Sequence, residues 1–449
     1  MSVLSGQNED GSASPPPGEL VEQLRRGVAE RVQDVGTLNT AELSDVVNEE
    51  IAAWVRERAA SGTPPPSSAQ EQHLADHVLS ALHGLGGLAP LIGRDDVENI
   101  HVHGCDEVWV EYASGRLHRW PTPVAASDEE LLTLISSLFA RRGRTSREWT
   151  PAHPLGTLRL PDGGPLGCRI AAMRSVVDRP RIAIRRHRTV QADLPELERL
   201  GTVTDPVRRF LTSAVQAGLN ILVTGAPSAG KTALLRALAH EVPPHEHLAV
   251  VEDDAELGLH LCPHLHPLVT AAETRSGNAE GEGEVGLDAL LQQVLRHSPS
   301  RVLVGEVRGG EITSLLRALG NGAAGGMSTL HARSPRAVPD RIAALAQLAS
   351  PPLPVAAAYR WMSASLNLIV HITRYDGPDG RQRRVSEITE VGQVGDADIP
   401  DLTTLVRSDP DGQTGALAPP SPALHSRLSA VAGYDRSMFS GPMFEGELP

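Results

Sequence analysis

Lysine is nearly missing from this chain. Of its 41 basic residues only Lys231 is a lysine, and the other 40 are arginines. Arginine therefore stands wherever a general positive charge suffices, and the exception marks a place that requires a compact ammonium on a flexible stem. Cysteine is scarce as well. Cys105, Cys168 and Cys262 are odd in number and far apart, and form no Cys-x-x-Cys pair. That pattern excludes a disulfide framework and a zinc ribbon and fits a reducing compartment. Aromatic residues make up 3% of the chain, too few for a platform on which nucleobases stack. No run reaches the ~18 apolar residues of a membrane span. The first 30 residues, with Asn8, Glu9, Asp10 and Pro15-Pro16-Pro17, lack the basic start and apolar core of a signal peptide.

The excess of acid is uneven. Residues 1–72 carry 12 acids and 5 bases, and residues 396–449 carry 8 and 3, which leaves 35 and 33 for the body between them. A nearly neutral body has no basic footprint for a polyanion, so direct contact with DNA is not expected.

Four segments follow from composition and periodicity. Residues 1–72 read as an N-terminal extension: a Ser/Gly/Pro-rich disordered tail, a helical arm with Leu20, Val21, Leu24 and Val28 and then Val46, Val47, Ile51 and Trp54, and a linker through Pro64-Pro65-Pro66. Residues 73–190 read as an α+β domain, with short strands near 100–102, 108–111, 117–120, 158–160, 169–172 and 182–184 and a helix over 128–140. In residues 191–395, Asp205-Pro206 gives an N-cap and a first-turn proline. Strands at 220–224, 248–252, 301–305 and 328–331 then alternate with helices at 231–241, 287–297, 311–319 and 334–349. That alternation predicts an α/β domain with a mostly parallel sheet. Residues 366–373 and 384–391 add expected edge strands. Residues 396–449, rich in Pro, Gly, Ser and Asp, read as a disordered acidic tail.

The sole lysine lies in Gly225-Ala226-Pro227-Ser228-Ala229-Gly230-Lys231-Thr232. This is a phosphate loop in its required context, after a buried strand and before a helix. The glycines let backbone amides curl around an oligophosphate, and the helix presents its positive end to the anion. Lys231 reaches the terminal phosphates and Thr232 ligates Mg²⁺. Such a loop needs a metal-side acid and an activator of water. Glu306, ending the apolar strand Val302-Leu303-Val304-Gly305, is the first candidate, and Glu252, heading the acidic run Glu252-Asp253-Asp254, is the second. Thr232, Glu306 and Glu252 are thus the expected metal side. His331, after the glycine pair Gly325-Gly326, is placed to sense the terminal phosphate. Arg308, Arg275, Arg169, Arg181 and Arg185 are candidates for neutralising charge at a subunit boundary.

These blocks, in this order, resemble the secretion ATPase superfamily that powers type II and type IV secretion and type IV pilus assembly. The closest branch is the CpaF-type ATPase of tight-adherence (Flp) pili. The resemblance covers about residues 73–395. It rests on Val251-Glu252-Asp253-Asp254-Ala255-Glu256-Leu257; on Glu273-Thr274-Arg275 with Asn278, Glu280, Gly281 and Gly283; on Val304-Gly305-Glu306-Val307-Arg308-Gly309-Gly310-Glu311; and on Ser328-Thr329-Leu330-His331-Ala332. Upstream, Leu160-Pro161-Asp162-Gly163, Cys168-Arg169-Ile170 and Ile182-Ala183-Ile184-Arg185 match further blocks. The chain departs from the branch at Asn321-Gly322-Ala323-Ala324-Gly325-Gly326, where a histidine and an acid are replaced, at Pro299-Ser300, and by an insertion between Asp162 and Arg169.

The resemblance implies a RecA-like P-loop NTPase domain behind a mixed α+β domain. It implies ATP and Mg²⁺ as cofactors and a homohexameric ring. It also implies a cytoplasmic enzyme, peripheral to the membrane, that moves an inner-membrane platform protein. Arg169 or Arg185 is then expected to close on the nucleotide. Two alternatives stand beside this motor: a nucleotide-binding structural subunit with little turnover, motivated by the altered 321–326 segment, and a conjugation ATPase. A small-molecule kinase would leave the Asp-rich and His-containing blocks unexplained.

Overall fold

The computed structural model describes residues 18–31, 40–62, 64–83, 85–142, 149–160, 166–186, 193–275, 277, 282–320, 324–377, 380–396, 398–409 and 414–439. The expected disordered stretch before residue 18, Asn278, Glu280 and Gly281, Asp162 and the 321–323 part of the altered segment lie outside them. The chain divides into two compact units, Met1–Arg186 and His187–Pro449.

The first unit opens with α1 (Gly18–Arg31), α2 (Thr40–Ala60) and α3 (Ser68–His83). Their apolar faces meet at Leu24, Val28, Val47, Ile51, Leu74 and Val78, all buried. The boundary expected at residue 72 therefore falls inside α3. That helix starts directly after the proline run because of a capping box: Ser67 Oγ accepts the Gln70 N–H, and Gln70 Oε1 accepts the Ser67 N–H. After a one-turn α4 (Ala89–Ile92) come β1 (Val97–His103), β2 (Glu107–Tyr112), β3 (Leu117–Trp120), α5 (Asp128–Arg142), β4 (Leu155–Leu160), β5 (Cys168–Met173) and β6 (Arg181–Arg186). The six strands form one antiparallel sheet in the order β3-β2-β1-β6-β5-β4. Inward residues such as Ile100, Val110, Ile170 and Ile184 share a core with Leu131, Ile135 and Leu138 of α5.

The second unit runs α6 (Leu194–Arg199), α7 (Asp205–Gln216), β7 (Ile221–Gly225), α8 (Lys231–Ala239), β8 (Leu248–Glu252), β9 (Val269–Glu273), α9 (Leu287–Val294), β10 (Arg301–Val307), α10 (Ile312–Gly320), β11 (Met327–His331), α11 (Val338–Ala346) and α12 (Val355–Ser365). It ends with β12 (Leu368–Gly377), β13 (Gly380–Val394), β14 (Pro400–Ser408), β15 (Thr414–Ala416) and α13 (Pro422–Ser429). Thr204, one residue earlier than expected, occupies the N-cap of α7, and Asp205 in the first turn pairs instead with Arg208 and Arg209. The strands form a nine-stranded sheet in the order β15-β14-β13-β12-β7-β11-β10-β8-β9. The six from β12 to β9 are mutually parallel. The fully buried runs of β7 and β8, and β10 buried at all but Glu306, reflect a sheet covered on both faces there.

Two expectations are corrected here. Neither β12 nor β13 is an edge strand: β12 pairs in parallel with β7 from Leu368↔Ile221 to His371↔Thr224, and β13 lies between β12 and β14. Residues 396–449 are not a disordered tail throughout, because β14, β15 and α13 occupy much of 400–429. Leu405, Val406, Leu424 and Leu428, though sparse among polar residues, are all buried in the main core. Polar bonds fix the same segment. Glu390 accepts from the Ser421 N–H and hydroxyl, Arg427 donates to Gly218 O at 2.7 Å, and Phe439 packs edge-on against Phe210.

Candidate functional site

The loop between β7 and α8 is built by backbone conformations that few residues adopt. Gly225, Ser228 and Gly230 have φ of 155°, 58° and 101°, and a Cβ on Gly225 would collide with the carbonyl oxygen of Ile372. Ala226, Pro227 and Ala229 complete the curl. Lys231 is the first residue of α8 and is 7% exposed; Thr232 beside it is half-buried. The Lys231 ammonium donates to Ala226 O at 3.0 Å and lies 2.9 Å from His331 Nδ1. An ammonium can only donate, so Nδ1 is the acceptor and the ring proton sits on Nε2. In that tautomer the 3.3 Å approach of Nδ1 to Gly225 O is a contact between two acceptors. Burial, and then the charge of Lys231, depress the His331 pKa, so the ring is neutral.

His331 ends β11 and Glu306 lies near the end of neighbouring β10, so the parallel sheet delivers both to one edge. His331 Nε2 lies 2.7 Å from Glu306 Oε1, off the line a hydrogen bond requires. That oxygen is buried with no hydrogen-bond partner. The other oxygen, Oε2, is held by Arg308 at 2.8 Å. Arg308, itself exposed, also reaches within 4.0 Å of Asp253. The segment ahead of β11 is fixed by Asn220, whose Oδ1 accepts the N–H groups of Gly325 and Gly326 at 2.9 Å each.

The remaining expected residues fare differently. Glu252 ends β8 beside Gly305, as expected, and is 4% exposed. Its Oε1 accepts the N–H groups of Glu256 and Leu257. Burial raises its pKa to about 8, and the two amides that it accepts pin the turn after β8. Arg275 is exposed and donates to Gly283 O at 2.6 Å, closing its own loop. Arg169 and Arg185 belong to the first unit. They stand in register on β5 and β6, with Arg159 beside Arg169 on β4. Arg181 opens β6 in register with Met173 and pairs with Asp178 at 2.9 Å.

Two further residues meet β7 and the loop that follows it without any sequence signal. His371 on β12 bonds Thr224 Oγ1 through Nδ1 at 2.9 Å. Arg383 on β13 donates to Ser228 O at 3.3 Å. Both come from the strand pair that was expected at the sheet edge.

A magnesium ion fits the donors present. Mg²⁺ takes one or two protein oxygens and leaves its other positions to phosphate and water. The Thr232 hydroxyl and the otherwise unpartnered Glu306 Oε1 are oxygens of that kind. Among the described residues no cluster of three or more His, Cys, Asp or Glu side chains forms an all-protein metal cage, which such a site does not need.

A strand–loop–helix with a buried lysine at the helix start, and an acid and a histidine on the next strand ends, defines a phosphate-loop nucleotide site on an α/β sheet. Residues 83–401 match the family model for the type II/IV secretion system protein, and the chain belongs to that family. A Mycobacterium tuberculosis protein provisionally named as a conjugal transfer protein is 34% identical over 299 residues, 65% of this chain and 81% of that one. The type IV secretion system protein PtlH of Bordetella pertussis is 29% identical over 338 residues, 70% and 94%. The X-ray structure of the Legionella pneumophila ATPase DotB is similar over 68% of this chain and 79% of its own, at 16% identity and a TM-score of 0.48. Among the described residues no helix is long and apolar enough to cross a membrane.

Proposed function

We propose that the chain is the ATP-hydrolysing motor of a secretion or pilus-assembly machine, of the tight-adherence (Flp/Tad) pilus type. The observation that carries this is the convergence of Lys231, His331 and Glu306 on one end of the sheet, with a Glu306 oxygen left free of hydrogen bonds. Bound Mg²⁺, held through Thr232 and Glu306, would neutralise charge on the terminal phosphates. The chain's own residues do the rest. The loop amides and Lys231 bind and orient the triphosphate. Glu306 orients or deprotonates the attacking water. His331, in contact with both, reports the state of the phosphate end to the strand that carries it.

The family resemblance supports a hexameric ring working against an inner-membrane platform protein, with the protein in the cytoplasm and peripheral to the membrane. In such a ring the row Arg159, Arg169 and Arg185 is a basic strip for a neighbouring subunit's nucleotide. A conjugation ATPase is the second reading, favoured by the similarity to the M. tuberculosis protein; the near-neutral body argues against direct contact with DNA.

Phosphate release by the purified chain, with size measurement in the presence and absence of ATP, tests the proposal. Mg²⁺-dependent hydrolysis and nucleotide-dependent assembly are the expected results. ATP binding with no turnover, even with the platform protein added, would reduce the chain to a structural nucleotide-binding subunit.

A further inference from the structure

The β12–β13 hairpin folds over the phosphate loop, and its register sorts its side chains by face. Ile372 opposes Val385, Arg374 opposes Arg383 and Asp376 opposes Arg381, so alternate pairs share one side. On that side Ile372 fills the space next to Gly225 and Gly230, and the Arg383 stem lies 3.0 Å from where a Cβ on Gly230 would stand. Asp376 engages Arg374 at 3.1 Å and Arg381 at 3.4 Å. The Arg383 Nε–H reaches a carbonyl of the loop itself, Ser228 O, at 3.3 Å. A neutral carbonyl is a weaker acceptor for a guanidinium than a phosphate oxygen.

Sheet order gives the direction of approach. β7 lies between β12 and β11. Glu306 and His331 come from the β10–β11 flank of the loop, and the hairpin comes from the other. The cation on that flank therefore faces the part of a bound nucleotide away from the phosphate that is removed.

We propose that Arg383 is a second cation of the nucleotide site, supplied by the same chain, and that it holds the α- and β-phosphates while Lys231 holds the terminal one. This rests on the nucleotide site described above. When nucleotide enters, the guanidinium exchanges Ser228 O for phosphate oxygens, a geometry its fork of donors matches.

The test is titration of the full chain with Mg-ATP and with Mg-ADP, for wild type and for Arg383→Ala, Arg383→Lys and Arg384→Ala. Arg384 lies on the opposite face and donates to Gln382 at 2.7 Å. Arg383→Ala should raise the Kd for ATP and for ADP together by roughly ten-fold or more. Arg383→Lys, which keeps the stem and the charge, should recover part of the loss, and Arg384→Ala should bind as wild type. Thermal melts of each variant separate loss of binding from loss of fold. Unchanged affinity for both nucleotides in folded Arg383→Ala overturns the proposal, and so does an Arg383→Lys variant that binds no better than Arg383→Ala. So does a loss confined to ATP, which would put the guanidinium at the terminal phosphate. If wild type binds neither nucleotide, the underlying site assignment fails first.

Discussion

The Lys231 ammonium nitrogen lies 2.9 Å from Nδ1 of His331, a hundred residues away in the chain. The strands β7 and β11 are hydrogen-bonded neighbours, with His331 paired to Gly225, so the contact is built into the sheet. It holds the lysine in place with a neutral base and the Ala226 carbonyl. In the motor proposed above, a triphosphate would offer stronger acceptors, and its arrival would move the lysine off His331 and free the ring. The histidine would thereby be coupled to occupancy of the site without needing to touch substrate itself.

That coupling separates binding from turnover. His331→Ala should lower kcat by about ten-fold or more while the Kd for ATP changes by less than about three-fold. Parallel titration and steady-state phosphate release measure the two quantities. Because burial and Lys231 lower the His331 pKa, its protonation should not enter the wild-type rate profile until the pH falls below about 6.5.

Glu306 is the sharper case. Glu306→Gln keeps the shape and one acceptor oxygen but cannot take a proton. The expected outcome is ATP binding near the wild-type level with hydrolysis reduced by about 100-fold or more. A single-turnover assay with bound ATP would show it, and wild-type turnover in this variant would remove Glu306 from the chemistry.

Glu252 predicts a pH effect on stability. Its ordinary value of 4.5 is raised to about 8, chiefly by burial. Between those values the native carboxyl keeps a proton that the unfolded chain has released. Its contribution to stability therefore falls as pH rises through that window. Glu252→Gln removes the titration but keeps an acceptor for the Glu256 and Leu257 amides. Its melting temperature, compared with wild type, should gain by a few degrees between pH 5 and pH 8. A constant difference across that range would contradict the assignment.

The phosphate loop, Glu306 and His331 were legible in the sequence because each ends an apolar strand of an alternating βα pattern, and such ends collect on one edge of a parallel sheet. The helix and strand positions of that core follow from the same periodicity. What was not legible depends on pairing across long separations. β12 looks like a short edge strand until it is seen beside β7, and only that placement brings His371 and Arg383 to the loop. Glu252 ends β8 where the pattern puts it, but its burial beside Gly305 and its bonds to the Glu256 and Leu257 amides depend on the turn that follows, which periodicity does not show. The 396–449 segment misled because its composition is polar, whereas a few well-spaced apolar residues suffice to dock strands already templated by β13.

Leu428 tests that docked segment. It is fully buried in the main core, so Leu428→Ala should destabilise the second unit by about 2–5 kcal/mol. Thermal or urea unfolding of the full chain measures it. A change within about 0.5 kcal/mol, typical of an exposed position, would return this stretch to the status of a loose tail.

Calorimetric titration of Mg-ATP into wild type and Lys231→Ala bears most directly on the central claim, that one ammonium at the head of α8 holds the triphosphate. The account predicts saturable binding by the wild type and loss of most of that affinity in the variant, with its melting behaviour preserved. Equal ATP affinity in the two proteins would contradict it.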